Sequence, residues 1–220
     1  MVRALACHAR GRGFESRHSR HSRQFMKIYK YKNYKEYVEA QSAANKKKLK
    51  KTWAQKRIIE QISDTHKAKS GIAHNILCHG TRNGKEQEYF LKFFPRAYVI
   101  GTEIADTAAQ FKNTVQHDFH EAKSEWINKF DILYSNSWDH SYDPEKSLNT
   151  WTEQLNDHGS IYIEHAISNN KSTRSDPLSI NEEEILILFK KNNLLLESIK
   201  DTPCGWNKNV CKIYTATKNA

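Results

Sequence analysis

From residue 73 to residue 217 short apolar runs alternate with amphipathic stretches, in the order strand, helix, strand. Residues 73–78 predict a first strand, 80–84 a loop and 85–94 a helix ended by Pro95. Residues 98–102 predict a second strand, followed by a helical stretch over 105–111. A short third strand is expected over 114–116. The fourth, over 130–135, is apolar and bounded by polar residues. Pro144 suits a first helical turn, and the helix it opens runs to Leu155. Residues 156–159 read as a turn and 160–164 as a fifth strand. Asn181 is a helix cap, with Glu182, Glu183 and Glu184 favourably placed in the first turn. Residues 194–199 and 210–217 predict the last two strands, and Pro203-Cys204-Gly205 between them allows an antiparallel hairpin. Strand–helix alternation with a final hairpin predicts an α/β fold, doubly wound around a mostly parallel sheet with helices on both faces.

Upstream, residues 27–62 read as mostly helical. Tyr34, Tyr37, Val38 and Gln41 share one face, and Leu49, Trp53, Ile58, Ile59 and Ile62 recur at three-to-five spacing. Tyr29, Tyr31, Tyr34 and Tyr37 interleave with lysines, and Lys46-Lys47-Lys48-Leu49-Lys50-Lys51 is a charge run. Either is the solvated face and packing edge of a lid, or a polyanion-binding surface. Residues 1–25 are rich in Arg, His and Ser and bury too little to order, so disorder is expected. Their sequence resembles the conceptual translation of a tRNA gene, which makes Met26 the expected initiator. Three segments result: 1–25 a tail, 26–70 a basic helical extension, and 71–220 the α/β domain.

Composition changes this picture mainly through charge. The chain has 220 residues, 38% of them hydrophobic, and a net charge of +10. Mean hydropathy is −0.82, low for a fully packed chain. Residues 1–25 hold six Arg against one Glu, and residues 26–57 eleven Lys or Arg against two Glu. The remainder is therefore slightly acidic, and the basic balance belongs to the N-terminal quarter. No apolar run approaches the ~18 residues of a membrane span. Cys7, Cys78, Cys204 and Cys211 are too scattered for a disulfide framework and form no CxxC pair. A reduced, cytoplasmic location is the expectation.

Candidate chemistry lies at the predicted strand ends, where parallel sheets bind ligands. His79-Gly80-Thr81-Arg82-Asn83-Gly84 follows the first strand. It is looser than the GxGxxG loop that cradles a pyrophosphate, so it suits a less anionic group such as an amino-acid moiety. Glu103 closes the second strand, placed to accept hydrogen bonds from ribose hydroxyls. Asp118 and Phe119 follow the third, as an acceptor for an exocyclic amine beside an aromatic ring. Asn136 and Ser137 close the fourth, and Trp138-Asp139-His140-Ser141-Tyr142-Asp143 forms a polar-aromatic loop over the expected pocket. An ordinary turn, a surface acid and helix caps are the plain alternatives for these positions. His79, His117, His120, His140 and His165 lack HxxxH or HxH spacing, so no metal is expected.

On these residues the run from Ile76 to His165 resembles the class I, Rossmann-like S-adenosylmethionine-dependent methyltransferases. Leu155-Asn156-Asp157-His158-Gly159-Ser160-Ile161 matches the family's turn into its fifth strand. The departure is the first loop, where the family usually reads GxGxG after an acidic residue. The resemblance implies a seven-stranded sheet with one antiparallel strand, and S-adenosyl-L-methionine held by Gly80, Thr81, Gly84, Glu103, Asp118, Phe119, Asn136 and Ser137. It implies methyl transfer by in-line displacement to a small-molecule acceptor. His140, then Asp139, are the expected bases, because an acceptor of high pKa must lose a proton. The helices of residues 27–62 would cover the cofactor or shape the acceptor site. Two alternatives stand beside this reading. One is a nucleic-acid-binding module that uses the basic N-terminal region on a degenerate Rossmann scaffold. The other is a nucleotide-dependent oxidoreductase, disfavoured by the glycine spacing.

Overall fold

A computed structural model describes residues 26–166, 171–204 and 210–219; the expectations for residues 1–25 lie outside them. The described chain opens with β1 (Lys27–Ile28), α1 (Tyr34–Lys48) and α2 (Lys56–Ser70). There follow β2 (Asn75–His79), α3 (Lys85–Phe93), β3 (Tyr98–Glu103), β4 (Thr114–Gln116) and β5 (Phe130–Ser135). The chain continues through α4 (Pro144–Gln154), β6 (Leu155–Ala166), β7 (Leu178–Ser179), α5 (Glu182–Lys191), β8 (Leu194–Pro203) and β9 (Val210–Lys218). Seven strands form one sheet in the order β4-β3-β2-β5-β6-β9-β8. Pairing is parallel from β4 through β6, and β9 runs antiparallel between β6 and β8. The chain leaves β2 first towards β3 and β4, then returns to its other side with β5. The carboxyl ends of β2 and β5 therefore diverge and open a crevice.

The central strands are apolar runs because both faces of the sheet are covered. Period-two alternation sorts them. Leu77, Leu133, Ile161 and Ile163 face Trp151 of α4 and Ile185 and Phe189 of α5. Ile76, Cys78, Ile132 and Tyr134 face Ile58, Ile59 and Ile62 of α2 and Phe90 of α3. Asn181 and Glu184 form the reciprocal capping box that starts α5, and the Asn33 side chain caps α1 by accepting from Glu36 N–H at 3.0 Å.

Four sequence expectations change. The helical segment expected over 27–62 is a short strand and two helices. β1 pairs antiparallel with β7 and so pulls α1 across the carboxyl ends of the sheet. The helix expected over 105–111 is a 3₁₀ turn, Asp106–Gln110. The turn expected over 156–159 lies inside β6 as a pairing irregularity: Phe130 pairs with Leu155, and Ile132 already with Ser160. Gly159 is required there, since a Cβ would lie 2.5 Å from the Phe130 carbonyl. Finally, Cys204 and Cys211 are joined in a disulfide with a Cα–Cα distance of 5.0 Å. No sequence motif marks the pair, because the antiparallel register of β8 on β9 creates it. That removes the premise of unpaired cysteines on which a reduced compartment was expected. Cys78 is free and buried. Among the described residues no helix is long and apolar enough to cross a membrane.

One buried acid gives the fold a pH dependence. Glu164 of β6 is 2% exposed and accepts a hydrogen bond from the Tyr134 hydroxyl at 2.8 Å. Burial pushes its carboxyl up to about 7 from 4.5. The native state then holds a proton that the unfolded chain releases, so stability falls as pH rises through that window. Glu164→Gln keeps an acceptor for Tyr134 and removes the charge. It is expected to raise stability at pH 8 by up to about 3 kcal/mol, with most of the gain lost at pH 5; thermal melts at the two pH values check it.

Candidate functional site

β2 ends at His79, and the chain turns at Gly80 with φ +73°. A Cβ at Gly80 would sit 2.6 Å from the Ser137 Cβ, so the backbone approaches the end of β5 as only glycine permits. The next residues tie the loop down. Thr81 N–H donates to the Thr102 carbonyl at 2.9 Å, and Thr81 Oγ1 accepts from Gly84 N–H at 3.1 Å. Asn83 Nδ2 donates to the Leu49 and Lys51 carbonyls at 3.1 and 3.2 Å. The non-glycine centre of this loop thus anchors the connection between α1 and α2. Arg82 holds φ +22°, a sparsely populated backbone conformation for a side chain.

A cleft of about 530 Å³ opens over these strand ends. Gly80, Glu103, Asp118, Phe119 and Ser137 line it from the sheet, and Tyr37, Gln41, Asn45 and Lys48 of α1 line it from above. Glu103 is 7% exposed. One of its oxygens accepts from Ala105 N–H at 2.9 Å. Burial raises its carboxyl above the ordinary range, against the lowering effect of the Ala105 bond.

Asp118 sits in a chain of hydrogen bonds. Its Oδ1 accepts from the His120 backbone N–H at 2.9 Å and from His120 Nδ1 at 2.6 Å. His120 Nε2 is 2.7 Å from Ser141 Oγ. Because a carboxylate only accepts, Nδ1 carries the ring proton and Nε2 accepts from the Ser141 hydroxyl. Asp118 Oδ2 accepts from the Tyr34 hydroxyl of α1 at 2.9 Å. Burial opposes the Asp118 charge, but these donors outweigh it and hold the carboxyl below its ordinary value. The order Ser, His, Asp is that of a nucleophilic triad, yet Ser141 and His120 are fully buried, so here it orients Asp118.

A second cavity, about 910 Å³, adjoins the first through Lys48, Arg82, Ser137 and His140. Asn136, Asp139 and His165 line it as well. His140 Nδ1 donates to the Ser175 carbonyl at 2.7 Å. A carbonyl can only accept, so this bond places the proton on Nδ1 and leaves Nε2 with a lone pair. Asp139 and Asp176 approach the ring, each at 3.9 Å. Potential ligand atoms of Asp139, His140 and Asp176 lie within 4.8 Å of one another, a trio that could hold a cation. Asp176 arrives from the segment after β6, which no local spacing announces.

Of the ten residues expected from sequence, Gly80, Glu103, Asp118, Phe119 and Ser137 share the first cleft, and Asn136, Asp139 and His140 the second. Thr81 is 1% exposed and engaged within its loop. Gly84 instead lines a separate hollow with Phe111, Lys112 and Asn113. His79 is buried, stacked on Trp151 at 5.0 Å and bonded to Thr102 and Gln154 at 2.9 and 2.8 Å. Burial lowers it to about 3, a neutral structural histidine. Sequence reasoning missed Arg82, Glu86, Tyr34 and His120 as site groups. An arginine inside a glycine loop was the available signal for the first.

No family model matches the chain, and no curated protein matches it in sequence. Solved structures do match in fold. The Burkholderia thailandensis 1,6-didemethyltoxoflavin-N1-methyltransferase, with 1,6-didemethyltoxoflavin and S-adenosylhomocysteine bound, superposes with TM-score 0.69 at 15% identity, over 87% of this chain and 93% of that one. The plantazolicin methyltransferase BpumL, in complex with S-adenosylhomocysteine, gives TM-score 0.61 at 13% identity, over 83% and 95%. The [4+2]-cyclase SpnF gives 0.59 at 10% identity, over 72% and 80%. A cyclase among them illustrates that one fold hosts more than one reaction. With its strand order, antiparallel β9 and cleft at the β2–β5 divergence, the chain has the fold of the class I S-adenosylmethionine-dependent methyltransferases.

Proposed function

We propose that this protein transfers a methyl group from S-adenosylmethionine to a small-molecule acceptor. The observation that carries the reading is the convergence of Gly80, Glu103, Asp118, Phe119 and Ser137, from four strand ends, on one cleft. The fold neighbours with S-adenosylhomocysteine bound support it.

The residues present fit such a cofactor. Glu103 offers a buried carboxylate for two ribose hydroxyls, and Asp118 with Phe119 offers an acceptor and a ring edge for adenine. Beside Gly80, a hollow of about 210 Å³ is lined by Glu86 and Asn136. The Asn136 Nδ2 donor and the Glu86 Oε2 acceptor are buried there without partners among the described residues. A zwitterionic amino-acid end would satisfy both, and its ammonium would suit a Glu86 carboxyl that burial has pushed up to about 6. When bound, the cofactor supplies an electrophilic methyl on sulfur. The protein's part is alignment, exclusion of water by α1, and proton removal from the acceptor by His140 Nε2.

The other readings have less to stand on. A Tyr-x-x-x-Lys spacing does follow β5, at Tyr142 and Lys146. However, Lys146 bonds Glu121 at 2.6 Å, and the Tyr142 ring packs on Tyr37 and His120. That arrangement is no hydride-transfer pair. In the lysine run Lys46 pairs with Asp106 and Lys48 turns into the cleft, which weakens a nucleic-acid face.

Calorimetric titration is expected to show binding of S-adenosylmethionine and S-adenosylhomocysteine and none of NAD. Binding of neither methionine-derived ligand would defeat the proposal. Asp118 gives a sharper test. His120 holds Oδ1 with two donors, so Asp118→Asn keeps its oxygen there and turns its amide N–H₂ to the cleft. A donor now faces the base, so S-adenosylhomocysteine should weaken at least roughly tenfold relative to S-inosylhomocysteine, whose 6-oxo group accepts.

A further inference from the structure

We propose that the 910 Å³ cavity binds an acceptor carrying an anionic oxygen group, a carboxylate or a phosphate monoester, through Lys48, Arg82 and Lys171. The inference deepens the methyltransferase reading by naming the substrate class, and it rests on that reading only for the word acceptor.

Three cations line this one cavity. The ammonium groups of Lys48 and Lys171 have no hydrogen bond or ion pair among the described residues. Arg82 is half-buried. Among the described residues its Nη1 reaches only a backbone carbonyl, Lys51 O at 3.4 Å, and its Nε is buried without a partner. Desolvation lowers the guanidinium from its ordinary value despite acids nearby, so a charge is held here at a cost that no carboxylate among the described residues cancels at contact. Buried cations are ordinarily paired.

The cavity's acids, Asp139 and Asp176, make their nearest contacts on the His140 side. Asp176 Oδ2 accepts from Ser175 and Thr173 at 3.0 and 3.3 Å, and Asp139 and Asp176 flank His140. Lys48, Arg82 and Lys171 thus share one cavity with His140. The Arg82 guanidinium also lies 5.7 Å from the Trp53 ring centre, a cation–π contact that leaves its donors available to an anion. An acceptor with an acidic group at one end and a protonated heteroatom at the other would meet these cations with the first and His140 with the second.

The test uses the full chain and three probes of one shape: 4-hydroxybenzoate, 4-hydroxyphenyl phosphate and neutral 4-methylphenol. Each is titrated with and without saturating S-adenosylhomocysteine. At least one anion is expected to bind tenfold or more tighter than 4-methylphenol, in both states. The better anion tells carboxylate from phosphate. Lys48→Met/Lys171→Met should lose that preference tenfold, whereas Lys190→Met, an exposed lysine on α5, should keep it. Equal binding of the three probes would overturn the proposal. So would anion binding that vanishes once S-adenosylhomocysteine is present, because the cations would then serve the cofactor's own carboxylate. Absence of S-adenosylhomocysteine binding, with anion selectivity intact, would count against the methyltransferase reading instead and leave this one standing.

Discussion

Turnover of a His140→Gln variant is expected to fall roughly 100- to 10,000-fold, the usual contribution of a positioned general base. The hydrogen bond to the Ser175 carbonyl, 2.7 Å, commits Nδ1 to donation and leaves Nε2 free to take a proton. Glutamine can still donate to that carbonyl, so the loop between β5 and α4 should keep its shape while the base is lost. Methyl-labelled cofactor and a purified acceptor measure the rate. A variant within threefold of wild type at every pH would remove His140 from the chemistry and leave Asp139, 3.9 Å away, as the candidate.

The second large effect is on cofactor affinity. Glu103→Gln is expected to weaken S-adenosylhomocysteine by roughly 10- to 150-fold, which corresponds to about 1.5–3 kcal/mol for hydrogen bonds to a charged acceptor. One carboxylate oxygen is already engaged by Ala105 N–H, and glutamine can retain that bond through its own oxygen. What changes is the group facing the cleft, from an acceptor to an amide donor. Because burial works against the charge of Glu103, the substitution should leave thermal stability unchanged or slightly higher. A loss of affinity accompanied by a matching loss of stability would point to a merely structural Glu103.

Residues 114–116 and 130–135 were readable as strands because they are apolar segments with polar ends, and both match β4 and β5 to the residue. The α5 cap was readable for a similar reason: a capping box is written within four residues. Where an element depended on a distant partner, the reading failed. β1 exists only because β7 pairs with it, and Ile28 and its partner Leu178 stand far apart in the sequence. The irregularity in β6 needs the Phe130 carbonyl beside Gly159. The Cys204–Cys211 pair needs the β8–β9 register.

The candidate site divides along the same line. That Gly80, Glu103, Asp118 and Ser137 stand at or just past carboxyl ends was readable locally, since each strand run stops where the sequence turns polar or meets a glycine; the strand order was not, because it depends on which distant strands pair. The sequence by itself therefore determined the strands and the residue types at their carboxyl ends. It did not determine what that lining touches. Tyr34 on Asp118, His120 behind it, Asp176 beside His140, and Arg82 with no carboxylate at contact among the described residues are products of tertiary packing. Hydrogen bonding and desolvation act over a few ångströms in space, and a linear pattern carries no record of which distant residues will come that close.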